Sequence, residues 1–87
     1  MIHWVYIKES KEYVLTIGLC SNIDGKVISL DRDERLVYLR PFRVVFDAAA
    51  HKHLLDVLST ETIRGIIEGQ RETTQLMLRT MKARTTY

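Results

Sequence analysis

His51 and His53, separated only by Lys52, are the first candidate metal-binding pair in this 87-residue sequence. A zinc or similar ion needs imidazoles that converge on one point. Residues two apart on a helix point about 200° apart, so these rings cannot share an ion there, and both are expected at the surface. Cys20 and His3 supply the types needed for a nucleophile and its base. No spacing between them enforces contact, and a small buried thiol is the commoner role for a lone cysteine. The cations Arg32, Arg35, Arg40 and Arg43, with Lys26 and Lys52, form a third set. If they converge, they offer a positive face to a DNA or RNA backbone. If the arginines pair instead with Asp31, Asp33 and Glu34, they are simply solvated. The sequence leaves both readings open.

The whole chain sets the frame for these residues. It is long enough for one small domain with a single core. It is 46% hydrophobic and 28% charged, with one proline and four glycines, which argues against a disordered chain. No apolar stretch approaches a membrane span, and the start, MIHWVYIKES, reaches charge too soon for a secretory leader, so no membrane role is expected. Cys20 is the single cysteine and can form no internal disulfide, which fits a reducing, cytoplasmic home. A net charge of +2 does not by itself announce a nucleic-acid binder. The end of the chain is more basic, with Arg71, Arg79, Lys82 and Arg84 against Glu72. A solvated helix end explains that run as simply as a phosphate contact does.

The elements that must position these side chains are legible in part. His3–Ile7 and Tyr13–Ile17 are rich in Val, Ile, Tyr and Trp and read as an antiparallel hairpin around a polar turn, Lys8–Glu12. Alternation puts Trp4 and Tyr6 on one face and Val5 and Ile7 on the other, so both faces call for covering. Ser21–Leu30 has two readings. Ser21 or Asn22 caps a short helix with Ile23, Val27 and Leu30 inward, or Asp24-Gly25 turns a second hairpin. Asp31–Arg35 is a charged connection, and Leu36–Leu39 is a strand whose end or edge is marked by Pro41. Asp47 is the expected N-cap of a helix with Ala50, Leu54, Leu55 and Leu58 inward. Ser59 or Thr60 caps the next, with Ile63, Ile66 and Ile67 inward and a bend near Gly69. Leu76, Met77, Leu78 and Met81 carry a helical pattern onward; Met77 and Met81 pack either within the chain or at a dimer contact, and the segment is the candidate surface of a homodimer.

The order hairpin, short helix, strand, helix, helix resembles the GIY-YIG nuclease domain, particularly its small single-domain bacterial members. Trp4-Val5-Tyr6 sits where that family places its first triplet, and Thr16-Ile17-Gly18 where it places the second. LCSNIDGKV is similar to the segment leading to the family's arginine, and LVYLRPF to its third strand. The resemblance covers about residues 3 to 69. It implies an α+β fold in which a three-stranded, mainly antiparallel sheet is flanked by helices, with residues 70–87 as an extra C-terminal helical extension on the same domain.

In that family a tyrosine of the second triplet helps activate water, an arginine stabilises the phosphate and a glutamate holds a divalent metal. Such chemistry needs an activated nucleophile, charge neutralisation and a metal anchor. The equivalent positions here are Tyr6, Thr16, Lys26 and Lys52. Tyr6 is kept. Thr16 replaces a phenol with a hydroxyl of much higher pKa. Lys26 keeps the charge but not the planar fork. Lys52 stands where the metal-holding glutamate belongs, and a one-turn shift would move that role to Asp47 or Asp56. The resemblance therefore implies a catalytically degraded relative without a metal or other cofactor. Lys26, Arg32, Arg35, Arg43 and Lys52 are the expected DNA- or RNA-binding residues. A protein-interaction or homodimer module is one alternative. A surviving Mg-dependent endonuclease with an unusual residue set is the other.

Overall fold

The computed structural model describes the backbone of residues 1–25 and 30–85, and side chains as far as Met81. Three strands, β1 (His3–Glu9), β2 (Leu15–Cys20) and β3 (Arg35–Phe42), form one sheet in the order β2-β1-β3, antiparallel throughout. Three long helices follow: α1 (Val45–Asp56), α2 (Thr60–Gly69) and α3 (Arg71–Thr85). The fold is α+β.

The alternation read from the first strand decides the layers. Val5 and Ile7 are fully buried on one face with Ala48 and Leu55 of α1 and Ile63 of α2. Tyr6 belongs to a second cluster on the opposite face, with Trp4, Ile23, Leu36, Leu39 and the α3 residues Met77, Leu78 and Met81. A central strand apolar on both sides needs a cover on both, and α3 supplies the second. Helix α3 thus packs on the sheet through Met77, Leu78 and Met81. Met81 is buried and Met77 and Leu78 are half-buried against their own sheet, while Leu76 is exposed.

The hairpin is longer than its apolar run. β1 continues through Lys8 and Glu9, and the turn moves to Ser10–Val14. The Ser10 N–H donates to the Val14 carbonyl at 3.0 Å, the Ser10 carbonyl accepts the Tyr13 N–H at 3.0 Å, and Ser10 Oγ accepts the Val14 N–H. These bonds hold Tyr13 at φ 64°, left-handed backbone that a non-glycine residue seldom adopts. On the other side of β1, Ile7 faces Tyr38 and Lys8 faces Leu36, so Val37 is an extra residue in a bulge. The bulge lets Val37 and Tyr38 both face α1 and α2 while Leu36 and Leu39 face α3. Pro41 is next to last on β3, an edge strand, where its missing N–H costs no ladder bond.

Local signals at the connections mostly hold. Residues 23–25 are helical, and Asn22 Oδ1 accepts the Gly25 N–H at 3.0 Å, an N-cap geometry. Lys26 and Val27 lie outside the described residues. Ser59 caps α2 by accepting the Thr62 N–H at 3.2 Å, and the chain breaks between α2 and α3 at Gly69-Gln70. Helix α1 departs from expectation. It starts three residues early, with Val44 at the N-cap position and no side-chain cap, and Asp47 lies in the first turn near the positive helix end. Its inward stripe is Ala48, His51, Lys52 and Leu55, while Ala50 and Leu54 face solvent. Ala48 packs because its missing bulk lets the helix lie close to the sheet.

Candidate functional site

The turn end of the hairpin carries the densest ionic arrangement among the described residues. Glu9 follows Val5 and Ile7 in the period of two, so the strand aims its carboxylate inward, where it is 4% exposed. A carboxylate so buried needs charged partners. Arg35, opposite it at the start of β3, donates from Nε at 3.3 Å and Nη2 at 2.8 Å to Glu9 Oε1. Arg64 reaches over from α2 and donates from Nη1 to Glu9 Oε2 at 2.7 Å and from Nη2 to the Tyr13 carbonyl at 2.7 Å. The Arg64 and Arg35 hydrogen bonds hold the Glu9 carboxyl below the usual glutamate range, outweighing burial, which acts the other way.

Beside this clamp opens a cleft of about 280 Å³. Arg35, Arg64 and Arg71 line it, with Tyr13 and Gln75, over an apolar wall that includes Ile67. Arg71 Nε is 3.7 Å from Glu68, a loose and exposed pair. A second depression across Glu9 and Arg35 takes in Arg32, together with Asp33 and Glu34. Glu34 accepts the Lys8 ammonium at 2.9 Å and also the Asp31 backbone N–H. Arg35 therefore pairs across the sheet with Glu9 and not with its acidic neighbours in sequence.

Of the positions taken from the nuclease resemblance, the three that are described, Tyr6, Thr16 and Lys52, do not come together; Lys26 lies outside the described residues. Tyr6 and Thr16 lie on the α3 face of the sheet by strand alternation, whereas Lys52 rides on α1 against the opposite face. Tyr6 is buried, and its ring lies across Gly18 on the neighbouring strand, so closely that a β-carbon there would collide with it. Thr16 is exposed. Lys52 Nζ is 2.8 Å from Asp56 Oδ2, an i,i+4 pair along α1. Asp56 is thus engaged by an ammonium, and Asp47 is exposed a few turns away. These residues do not fit a divalent metal, and no three His, Cys, Asp or Glu side chains among the described residues are grouped to hold one. The expected cationic face also divides. Arg35 and Arg32 sit at the turn end, while Arg43 follows the far end of the eight-residue β3, roughly 25 Å away.

His51 and His53 point apart, as their spacing requires, but only His53 is at the surface. His51 is half-buried, with Nε2 2.9 Å from Tyr38 Oη and its ring against Tyr38 and Phe42. Burial, with the Arg40 charge nearby, pushes its pKa below the ordinary imidazole value. Arg40 itself lies 5.3 Å from the Phe42 ring centroid. Cys20 is half-buried beside Trp4, and His3 lies on the opposite face of the sheet.

Glu9, Tyr13 and Arg64 were not among the candidate site residues that the sequence singled out, and Arg71 was named only within the basic end of the chain. A signal for Glu9 existed: continuing the alternation two residues past Ile7 puts a carboxylate on the core face. Nothing in the sequence pairs it with Arg64, fifty-five positions away. Comparison with family models, with curated proteins and with solved structures gave no match. No helix among the described residues is long and apolar enough to cross a membrane.

Proposed function

We propose that this domain is a nucleic-acid-binding or accessory module that performs no hydrolysis, on a framework resembling that of the GIY-YIG nucleases. The observation that carries the reading is the arginine-lined cleft at the hairpin turn, where Arg35, Arg64 and Arg71 converge around one buried carboxylate. Arginine forks suit phosphate oxygens, and a rigid clamp limits the entropy lost when they bind. The separation of Tyr6 and Thr16 from Lys52 supports the loss of hydrolysis, since an in-line attack needs its groups within one site. Binding is therefore assigned to the turn end of the sheet and not to Lys52.

The test is titration of labelled single-stranded, branched and duplex DNA at low and physiological salt. Several phosphate contacts make affinity fall steeply with salt. The expected result is salt-sensitive binding weakened by Arg71→Ala and unchanged by Lys52→Ala. Absence of binding at low salt overturns the proposal. Magnesium-dependent nicking of plasmid that is lost in Tyr6→Phe overturns the non-hydrolytic part of it.

One observation favours a second reading, self-association. Phe46 (78% exposed), Leu54 and Val57, at spacings of eight and three, share the outer face of α1 with Ala50 between them. In an antiparallel pairing of two copies, Phe46 meets Val57 of the other chain and Leu54 fits over Ala50, a self-complementary match. Sedimentation across a concentration series is expected to show a weak dimer that Phe46→Ser abolishes. A strict monomer at millimolar concentration rules it out.

A further inference from the structure

We propose that the cleft beside Glu9 is a site for one nucleotide unit, with the phosphate on Arg35, Arg64 and Arg71 and the base stacked on the Tyr13 ring. The inference deepens the nucleic-acid reading and rests on it, but the site makes its own demands.

The arginines of the cleft keep N–H donors to spare. Each guanidinium has five N–H donors. Arg35 spends two on Glu9, and Arg64 spends one on Glu9 and one on the Tyr13 carbonyl, leaving three on each. Those donors are already oriented, and both side chains stay partly open to solvent. Arg71 adds a third fork from the start of α3, tied only loosely to Glu68. One carboxylate below three arginines leaves the cleft positive where a phosphate monoester would enter, even with Glu68 at the rim. Glu9 is a positioning residue: it fixes two guanidinia and keeps them from repelling each other apart.

Tyr13 supplies an aromatic surface beside them. Its side chain is 71% exposed at the rim of the cleft, yet its backbone is held in the left-handed region at φ 64°. That conformation costs a tyrosine on the order of 1–3 kcal/mol, and glycine or asparagine would occupy it more easily. The strained carbonyl is where Arg64 anchors. The hairpin thus holds an exposed aromatic ring in a costly conformation beside three arginines. An aromatic stacking platform next to guanidinia is the combination that binds single-stranded nucleotides without reading sequence. The cleft, about 280 Å³, suits a phosphate and sugar with the base outside on the ring.

The probes are inorganic phosphate, adenosine 5′-monophosphate, and an oligothymidylate with and without a 5′-phosphate, titrated while the arginine side-chain N–H and tyrosine ring signals are followed by NMR. Saturable shifts of Arg35, Arg64 and Arg71 are expected with phosphate, and of Tyr13 in addition with the nucleotide and oligonucleotides. Arg71→Ala, which leaves the Glu9 clamp intact, should weaken all of them about tenfold. Tyr13→Gly removes the ring while accommodating the backbone, so folding is kept. It should weaken the nucleotide and oligonucleotides about tenfold and leave inorganic phosphate unchanged.

No saturable shift of the three arginines with phosphate or nucleotide overturns the site. Equal affinity for nucleotide in wild type and Tyr13→Gly overturns the stacking assignment. Oligonucleotide binding insensitive to both variants overturns the site and leaves the broader nucleic-acid reading standing. If the free nucleotide binds while the oligonucleotides do not, the site stands for a small phosphate ester and the nucleic-acid reading falls.

Discussion

Glu9→Gln tests the centre of the arrangement. The two side chains are nearly isosteric, so no cavity opens and the effect isolates the charge. In the native cleft Glu9 accepts three N–H donations, two from Arg35 and one from Arg64, while itself 4% exposed. A neutral amide oxygen can still accept from one guanidinium. Its NH₂ group then faces the other, donor against donor. Hydrogen bonds to a buried charge contribute about 1.5–3 kcal/mol each, neutral ones about 1 kcal/mol. Arg35 and Arg64 are partly solvated and can turn to water, which discounts the loss. The expected destabilisation is about 2 kcal/mol, a fall in melting temperature of roughly 8–16 °C for a domain of this size. Thermal and urea unfolding at pH 7 would measure it. Because the Glu9 carboxyl titrates below its unfolded value, the unfolded chain takes up more protons as pH falls through and below the ordinary glutamate range. Wild-type stability should drop across that acid window, and the Glu9→Gln curve should converge on it there. A loss under about 0.5 kcal/mol at pH 7, with parallel acid profiles, would show the clamp to be an ordinary solvated pair.

His51 gives a second pH signature at a different place. Its folded pKa is lowered, so the unfolded chain binds more protons from about pH 6.5 downward, and stability declines over that range. Melting temperature should therefore fall between pH 7 and 5 in the wild type, and more gently in His51→Gln; identical slopes would remove the assignment. Gly18→Ala places a β-carbon into the Tyr6 ring, and neither strand can move without losing its ladder. A cost of about 1–3 kcal/mol is expected by urea denaturation, partly recovered by adding Tyr6→Leu. A neutral Gly18→Ala would mean that the ring does not lie there.

The sequence by itself determined the layers of this protein. Val5 and Ile7 against Trp4 and Tyr6 require a strand covered on both sides, and Leu36–Leu39 supplies its neighbour. Ser59, Asn22 and Gly69 mark helix ends because capping and backbone freedom act within a few residues. Such local physics is readable without contacts. The stripe of α1 was not. Val45, Phe46, Ala49, Ala50, Leu54 and Val57 make the helix apolar nearly all round, so periodicity does not choose between its faces. The sheet chose Ala48 and Leu55, drawing His51 in toward Tyr38. Likewise Met77, Leu78 and Met81 look like a surface in need of a partner until the second face of the sheet claims them. The cleft lay furthest from view. Glu9, Arg35 and Arg64 are joined only because a β-bulge fixes the start of β3 beside the hairpin turn and α2 crosses above it. Charge pairing at a distance in sequence is a property of the tertiary fold, because the energy that selects the partners appears only once Glu9 has been taken out of water.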